Sequence, residues 1–425
     1  MREGRAIILS DYIGGEGAAT GGAGHAVLAS YRALRSAGVD VRVIAGFGPV
    51  PNGEPGQFVS LGGSDLREEG GTATLRAIYN PAAEAALRAA LAGEDPEKTV
   101  VILHQWTRYL SPAAMRALSR FRLMVYMHDY FWACPNGAYY DFRMAQPCTR
   151  RPMGMDCLSA NCDRQGRVHK LGRVARHTAL QATRPGRPQD RLCLHLSEGS
   201  KATIAPLLPG QRHAVIHNPD AIPPDAPVPA EAPAYDVGYF GRLEPEKGVG
   251  TLIDALEQSG RSGLLVGQGA LEGMAVGRPA IEHRAWQPRE AMRAAMRSCR
   301  VVALPSLWRE TWGLIVPEAM AAGVPVLVSA RAGSAEMVER FGGGAVFDPG
   351  VPGDLEAKLN ELLDAAANGR RVVVRDWAGF RESLSPKRHA ERIVTLAAQT
   401  WGIDVRSTSG VSASPRPVVS EPLPA

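Results

Sequence analysis

The chain has 425 residues, 45% of them hydrophobic and 21% charged, with a formal net charge of +5. That length exceeds what one apolar core usually supports, so two domains are expected, and the composition excludes a largely disordered chain. No run of about 18 uncharged apolar residues is found, and Met1-Arg2-Glu3-Gly4-Arg5 leads straight into a strand-like segment, so a cytoplasmic chain without a membrane span is expected. Six cysteines in that compartment argue against a disulfide framework and leave packing, metal binding or reactivity as their roles.

In chain order, apolar runs predict strands at 6–11, 40–47, 99–105, 123–129, 192–197 and 213–218, with helices such as 24–37 and 112–121 between them. Six prolines between Pro219 and Pro233 cannot occupy a sheet or helix interior, which predicts a linker at 219–234. The alternation then restarts, with strands expected at 237–241, 263–267, 281–286, 300–305, 325–329 and 344–348 and helices at 249–258, 289–298, 314–322, 334–341 and 355–365. Strand and helix in alternation build parallel sheets covered on both faces. The expected fold class is therefore α/β: two doubly wound, Rossmann-like domains, at 1–218 and 235–385, facing a central cleft. Ser385-Pro386 opens a final helix, placed at 386–402 and expected to pack back on the first domain, and 403–425 reads as a disordered tail.

Ligands of such sheets bind at the carboxyl ends of the strands. There the second domain offers Gly241-Arg242-Leu243-Glu244-Pro245-Glu246-Lys247-Gly248, two cations at the start of a predicted helix, suited to a departing diphosphate. Farther on, Glu310 falls in a loop and Glu318 one turn into a helix, with Gly313, Leu314 and Ile315 between them. Their amides, unpaired at a helix start, are candidate diphosphate donors, and the two carboxylates suit sugar and ribose hydroxyls. Gly333-Ser334-Ala335-Glu336 repeats the loop-to-helix pattern, although Ser334 fits plain capping equally well. Trp286 ends a strand and is a candidate to flank a base. In the first domain, Gly21, Gly22 and Gly24 allow backbone to approach a phosphate or acceptor, and His128 sits at a strand end.

Gly241-Arg242 with Lys247-Gly248, Pro305-Ser306, Glu310, Gly313, Glu318-Ala319, Ala322-Gly323-Val324-Pro325-Val326, Gly333 with Glu336, and the Gly21–Gly24 run together resemble glycosyltransferase family 4, retaining enzymes of the GT-B fold. The resemblance spans roughly residues 6–401. It implies sugar transfer from a nucleoside diphosphate donor, UDP- or GDP-linked, to a hydroxyl of a glycan or lipid-linked acceptor, with no metal required. It further implies that Arg242 and Lys247 meet the diphosphate, that Glu310 contacts donor-sugar hydroxyls, and that His128 lies beside the donor sugar. A nucleotide-sugar epimerase of the same fold and a non-catalytic sugar-nucleotide binding module are the alternative readings.

An insertion at about 131–168 carries Cys134, Cys148, Cys157 and Cys162, four thiols in under thirty residues, read here either as zinc ligands or as thiols packed around an irregular loop. Similar cysteine-bearing insertions occur in a subset of the family. Between Arg143 and Arg191 there are eleven basic and three acidic side chains, a net +8, so the rest of the chain is slightly acidic. Such a stretch suits an anionic membrane surface or pyrophosphate-linked acceptor, or is simply solvated; no nucleic-acid-binding motif accompanies it. Peripheral attachment at the inner face of the membrane is the corresponding expectation.

Overall fold

The computed structural model describes residues 1–13, 22–50, 56–68, 73–183, 190–227, 233–368, 370 and 372–406. The first part of the chain supplies β1 (Arg2–Glu3), β2 (Arg5–Ser10), β3 (Val41–Phe47), β4 (Phe58–Gly63), β5 (Thr99–Leu103), β6 (Arg122–Tyr126), β7 (Tyr140–Asp141), β8 (Gln146–Pro147), β9 (Arg191–His195) and β10 (Arg212–Val215). Seven of these make one parallel sheet in the order β10-β9-β6-β5-β2-β3-β4. The second part supplies β11 (Tyr235–Phe240), β12 (Gly263–Val266), β13 (Ile281–Arg284), β14 (Cys299–Leu304), β15 (Val326–Ser329) and β16 (Gly344–Phe347), again all parallel, in the order β13-β12-β11-β14-β15-β16. Two doubly wound α/β sheets are thus present, as the alternation required.

Each sheet reverses direction once. The chain runs from β2 outward to β3 and β4 and then crosses to β5, and it runs from β11 outward to β12 and β13 before crossing to β14. Crevices open outside the strand ends at such reversals, because the loops leaving the two neighbouring strands diverge to opposite faces. The reversals therefore select the loops after β2, β5, β11 and β14 as the place for a ligand. Apolar side chains hold the frame: Val101, Ile102 and Leu103 of β5 and Leu264, Leu265 and Val266 of β12 are buried on both faces of their sheets. One apolar cluster includes Ile8 and Val27 of the first domain, Phe240 and Val302 of the second, and Ile393 and Ala397 of the last helix.

That last helix, Pro386–Trp401, starts where Ser385 caps the amide of Arg388 and ends at Gly402, which adopts φ 69°. Its buried side packs on the first domain's opening helix, Gly22–Ser36, where His389 Nε2 lies 2.9 Å from Ser30 Oγ. The expected disorder from 403 is corrected over the first few residues. β17 (Ile403–Asp404) pairs in parallel with β1, and Ile403 and Val405 are fully buried. Two apolar residues alternating with polar ones were too short a signal to register as a strand. Residues 407–425 lie outside the described residues. The edge strand β4 and the helix Arg167–Thr183 had no counterpart among the predicted elements.

Ile403→Ala removes a side chain at 0% exposure that joins the two ends of the chain, and is expected to cost about 2–4 kcal/mol. Denaturant titration measures this; a midpoint unchanged from wild type would mean the terminal pairing contributes nothing.

Candidate active site

The loop leaving β11 turns through the short helical segment Pro245–Lys247 and brings Lys247 back toward the end of β14. Lys247 Nζ bonds Glu310 Oε1 at 2.6 Å, and Ser306, two residues beyond β14, donates its hydroxyl to Glu310 Oε2 at 2.6 Å. Burial pushes the Glu310 carboxyl up, but Lys247, the Ser306 hydroxyl and Arg242 outweigh it and hold the group below its ordinary value. Glu310 is therefore an ionised carboxylate whose two oxygens are both oriented. Trp308 supports the other partner, its ring centroid 4.9 Å from Lys247 Nζ. Arg242 is exposed and holds no ion pair among the described residues, which leaves its guanidinium available at the same loop.

Gly313 follows with φ +108°, and a Cβ there would meet Leu304 and Ser334 at under 3 Å, so glycine is required for the turn into the helix Ile315–Ala321. Leu314 and Ile315 open that helix, where amides lack intrahelical acceptors. Glu318 lies in the helix and pairs with Arg289 at 3.3 Å, while Arg289 also bonds Asp220 at 2.9 Å. Burial, with Asp220 adding to it and Arg289 opposing, pushes the Glu318 carboxyl up to about 7.

The first domain closes on this loop at several points. Thr311 Oγ1 donates to the His128 carbonyl at 2.9 Å, and Tyr130 donates to the Arg309 carbonyl at 3.0 Å. Ser197 Oγ donates to the Thr311 carbonyl at 3.0 Å, an approach possible because residue 333 is glycine: a Cβ there would lie 2.3 Å from Ser197 Oγ. Gly22 touches Leu314 in the same way, a Cβ at Gly22 falling 2.5 Å from Leu314 Cδ1. His128 stacks on Tyr126 and faces His104, with His128 Nε2 2.9 Å from His104 Nδ1. Burial lowers the His128 pKa to about 4, so the ring is neutral near pH 7.

Of the residues singled out from sequence, Gly22, His128, Gly241, Arg242, Lys247, Glu310, Gly313, Leu314, Ile315, Glu318 and Gly333 gather around the two switch points. Gly24 is buried in the first turn of the helix Gly22–Ser36. Gly21 lies outside the described residues. Trp286 stands apart, beyond the edge strand β13 and 43% exposed. Glu336 turns away to the domain seam, where it bonds His217 Nε2 at 3.0 Å and the Glu198 amide at 2.9 Å. Thr311, Arg289 and Tyr130 were missed: Thr311 lies inside the motif segment without a distinguishing pattern, and Arg289 and Tyr130 are brought in by folding. Ser306 stands within the motif but was given no role from sequence, and it orients Glu310.

The four thiols offered as zinc ligands, or alternatively as packed thiols, lie near one another in the insertion. Among the described residues no group of three or more His, Cys, Asp or Glu side chains is arranged to hold a metal ion. Cys134, Cys148, Cys157 and Cys162 are free and buried. Three of the thiols have polar partners: Cys134 Sγ donates to Asn136 Oδ1 at 3.2 Å, Cys148 Sγ accepts from Arg150 Nη1 at 3.9 Å, and Cys162 Sγ accepts from Lys170 Nζ at 3.4 Å. Burial pushes the Cys134 thiol up to about 12.

The sheet order, the paired switch points and the strand-end site together are those of the GT-B glycosyltransferase fold. Residues 227–374 match the family described as Glycosyl transferases group 1. An uncharacterized glycosyltransferase of Methanocaldococcus jannaschii is 31% identical over 137 residues, which cover 31% of this chain and 39% of that protein. Sucrose-phosphate synthase from Thermosynechococcus elongatus superposes with a TM-score of 0.63 at 16% identity, covering 93% of this chain and 98% of that one. Anabaena HepE in complex with UDP gives 0.57 at 16% identity over 93% and 100% of the two chains, and the same protein has been solved with UDP-glucose.

The raised Glu318 pKa sets a pH dependence. A carboxyl shifted from its ordinary 4.5 to about 7 binds its proton more tightly in the native state, so its contribution is present at low pH and is lost as pH rises through about 7. Glu318→Gln should therefore gain thermal stability relative to wild type between pH 5 and pH 8. A melting-temperature difference that does not change with pH would refute the shift.

Proposed function

We propose that this chain is a retaining, metal-independent glycosyltransferase that moves a sugar from a nucleoside diphosphate donor to a hydroxyl of a glycan or glycolipid. The observation that carries the reading is the Lys247–Glu310–Ser306 contact at the β11/β14 switch point, with Arg242 exposed on the same loop and the neighbouring Thr311 bonded to the His128 carbonyl of the other domain. In the proposed reaction the bond between the sugar's anomeric carbon and the phosphate oxygen breaks while the acceptor oxygen bonds the same face. The departing phosphate takes the acceptor's proton. Negative charge then grows on the phosphate, and Arg242 and Lys247, fixed before the reaction, stabilise it without any divalent ion. Glu310, ionised and held at both oxygens, accepts hydrogen bonds from the sugar hydroxyls; Glu318 holds the ribose. The uridine nucleotides in the Anabaena structures make UDP-sugars the first donors to try.

Nucleotide release from UDP- and GDP-sugars, with and without EDTA, tests the reading. Lys247→Ala and Arg242→Ala should each lower turnover by about 10²–10³. Glu310→Gln should also damage turnover, whereas Glu318→Gln should mainly raise the Michaelis constant. Near-normal turnover in both Lys247→Ala and Glu310→Ala would remove the site from the chemistry, and inversion of the sugar without transfer would favour an epimerase. Activity abolished by EDTA and restored by magnesium would overturn metal independence.

A lipid-linked acceptor is favoured by the surface of the insertion. Among the described residues, five of the eleven exposed large hydrophobic side chains (Met144, Met155, Leu158, Val168 and Leu171) fall within it and the helix that follows. Arg143, Arg151 and Arg167 are exposed among them and hold no ion pair among the described residues. Among the described residues no helix is long and apolar enough to cross a membrane, so the proposed attachment is peripheral, at the cytoplasmic face. Vesicles containing anionic phospholipid should retain the protein, less so as salt rises, and replacing Arg143, Arg151 and Arg167 by glutamate should release it. Equal retention by neutral vesicles would argue against this surface.

A further inference from the structure

The loop that carries Arg242 and Lys247 also carries Glu244 and Glu246, so its own charges cancel. Two carboxylates there would repel a diphosphate and draw the loop's own cations toward themselves. Glu246 cannot shed this effect into water: it is buried, and its Oε2 has no hydrogen-bond partner. Its backbone carbonyl receives the Leu307 amide at 2.9 Å, which fixes it beneath the strand end that leads to Glu310.

The neutralising charge comes from the other domain. Arg164, at the end of the cysteine-bearing insertion, bonds Glu244 Oε2 through Nη1 at 2.7 Å and Glu246 Oε1 through Nη2, and its guanidinium lies over Phe142 at 4.9 Å. The residue before it secures that position: Asp163 is fully buried, accepts the Gln165 amide at 2.9 Å and pairs with Arg173 at 3.0 Å. One guanidinium thus occupies both carboxylates of the loop, in a planar fork that lysine would not reproduce.

We propose that Arg164 is a positioning residue of the diphosphate site, supplied across the cleft: by holding Glu244 and Glu246 it keeps those two carboxylates from repelling the ligand and from drawing Arg242 and Lys247 away from it. This rests on the nucleoside-diphosphate reading above and extends it to a residue of the opposite domain. It also gives the insertion a part in donor binding, since among the described residues the insertion carries the one side chain that reaches both carboxylates.

Calorimetric binding of UDP and GDP to the full chain tests this, with UMP as a ligand that lacks the second phosphate. Arg164→Ala should weaken nucleoside diphosphate binding by about tenfold or more, the factor that ~1.4 kcal/mol represents, with a smaller effect on UMP. Arg164→Lys should fall between. The deciding variant combines Arg164→Ala with Glu244→Gln and Glu246→Gln. If Arg164 acts by neutralising the loop, this triple variant recovers diphosphate affinity; if it only clasps the two domains, affinity stays as low as in Arg164→Ala, and the proposal is overturned. Should Arg164→Ala not fold, Glu244→Gln with Glu246→Gln in the wild-type background decides, because binding weaker than wild type would contradict neutralisation. Wild-type protein that binds neither UDP nor GDP would remove the nucleotide reading itself, an outcome distinct from wild-type binding left unchanged by Arg164→Ala.

Discussion

The contact between Lys247 and Glu310 ties together the two loops that diverge from the second sheet's switch point. Everything near it is arranged to keep that contact charged and oriented. Burial alone would raise the Glu310 carboxyl; the ammonium, the Ser306 hydroxyl and Arg242 reverse the direction. The result is a pair in which the acid is ionised and the base has donors to spare, since an ammonium carries three N–H groups and Glu310 takes one. A site of this kind sets a cation and an ionised carboxylate side by side.

The other domain limits what that pair can do. Thr311 and Arg309, which flank Glu310, are fixed through His128, Ser197 and Tyr130, all from the first domain. Behind His128 lies a buried polar chain: His104, stacked on Tyr126, whose hydroxyl lies 3.2 Å from His389 of the last helix. Burial lowers His128 and His389 to about 4, so these rings serve as neutral hydrogen-bonding plates, and charge stays concentrated on the cations of the second domain. The last helix therefore does more than cover apolar surface. It closes the back of the wall against which the Glu310 loop rests.

The insertion carries the same logic outward. Arg309 donates to the Cys148 carbonyl at 3.1 Å, and Arg164 takes the two loop carboxylates. Its buried cysteines lie in a segment that bridges the domains. The segment can follow such an irregular path because its backbone groups are satisfied locally, as where Asn136 holds the Ala138 and Tyr139 amides and the Tyr140 carbonyl.

The sequence by itself determined the two parallel sheets, because alternation of apolar runs with amphipathic helices has few other solutions, and it located the strand-end loops that carry Arg242, Lys247, Glu310 and Glu318. It also marked the glycines at 313 and 333, although their reasons, a positive φ at one and the Ser197 hydroxyl at the other, are spatial. Tertiary structure alone decided the partners. Arg289 beside Glu318, Arg164 on Glu244 and Glu246, and β17 on β1 join residues far apart in the chain, so no local period could register them. The same holds for charge state: whether Glu310 ionises readily and Glu318 only near pH 7 depends on which cation folding delivers to a buried carboxyl, and how near.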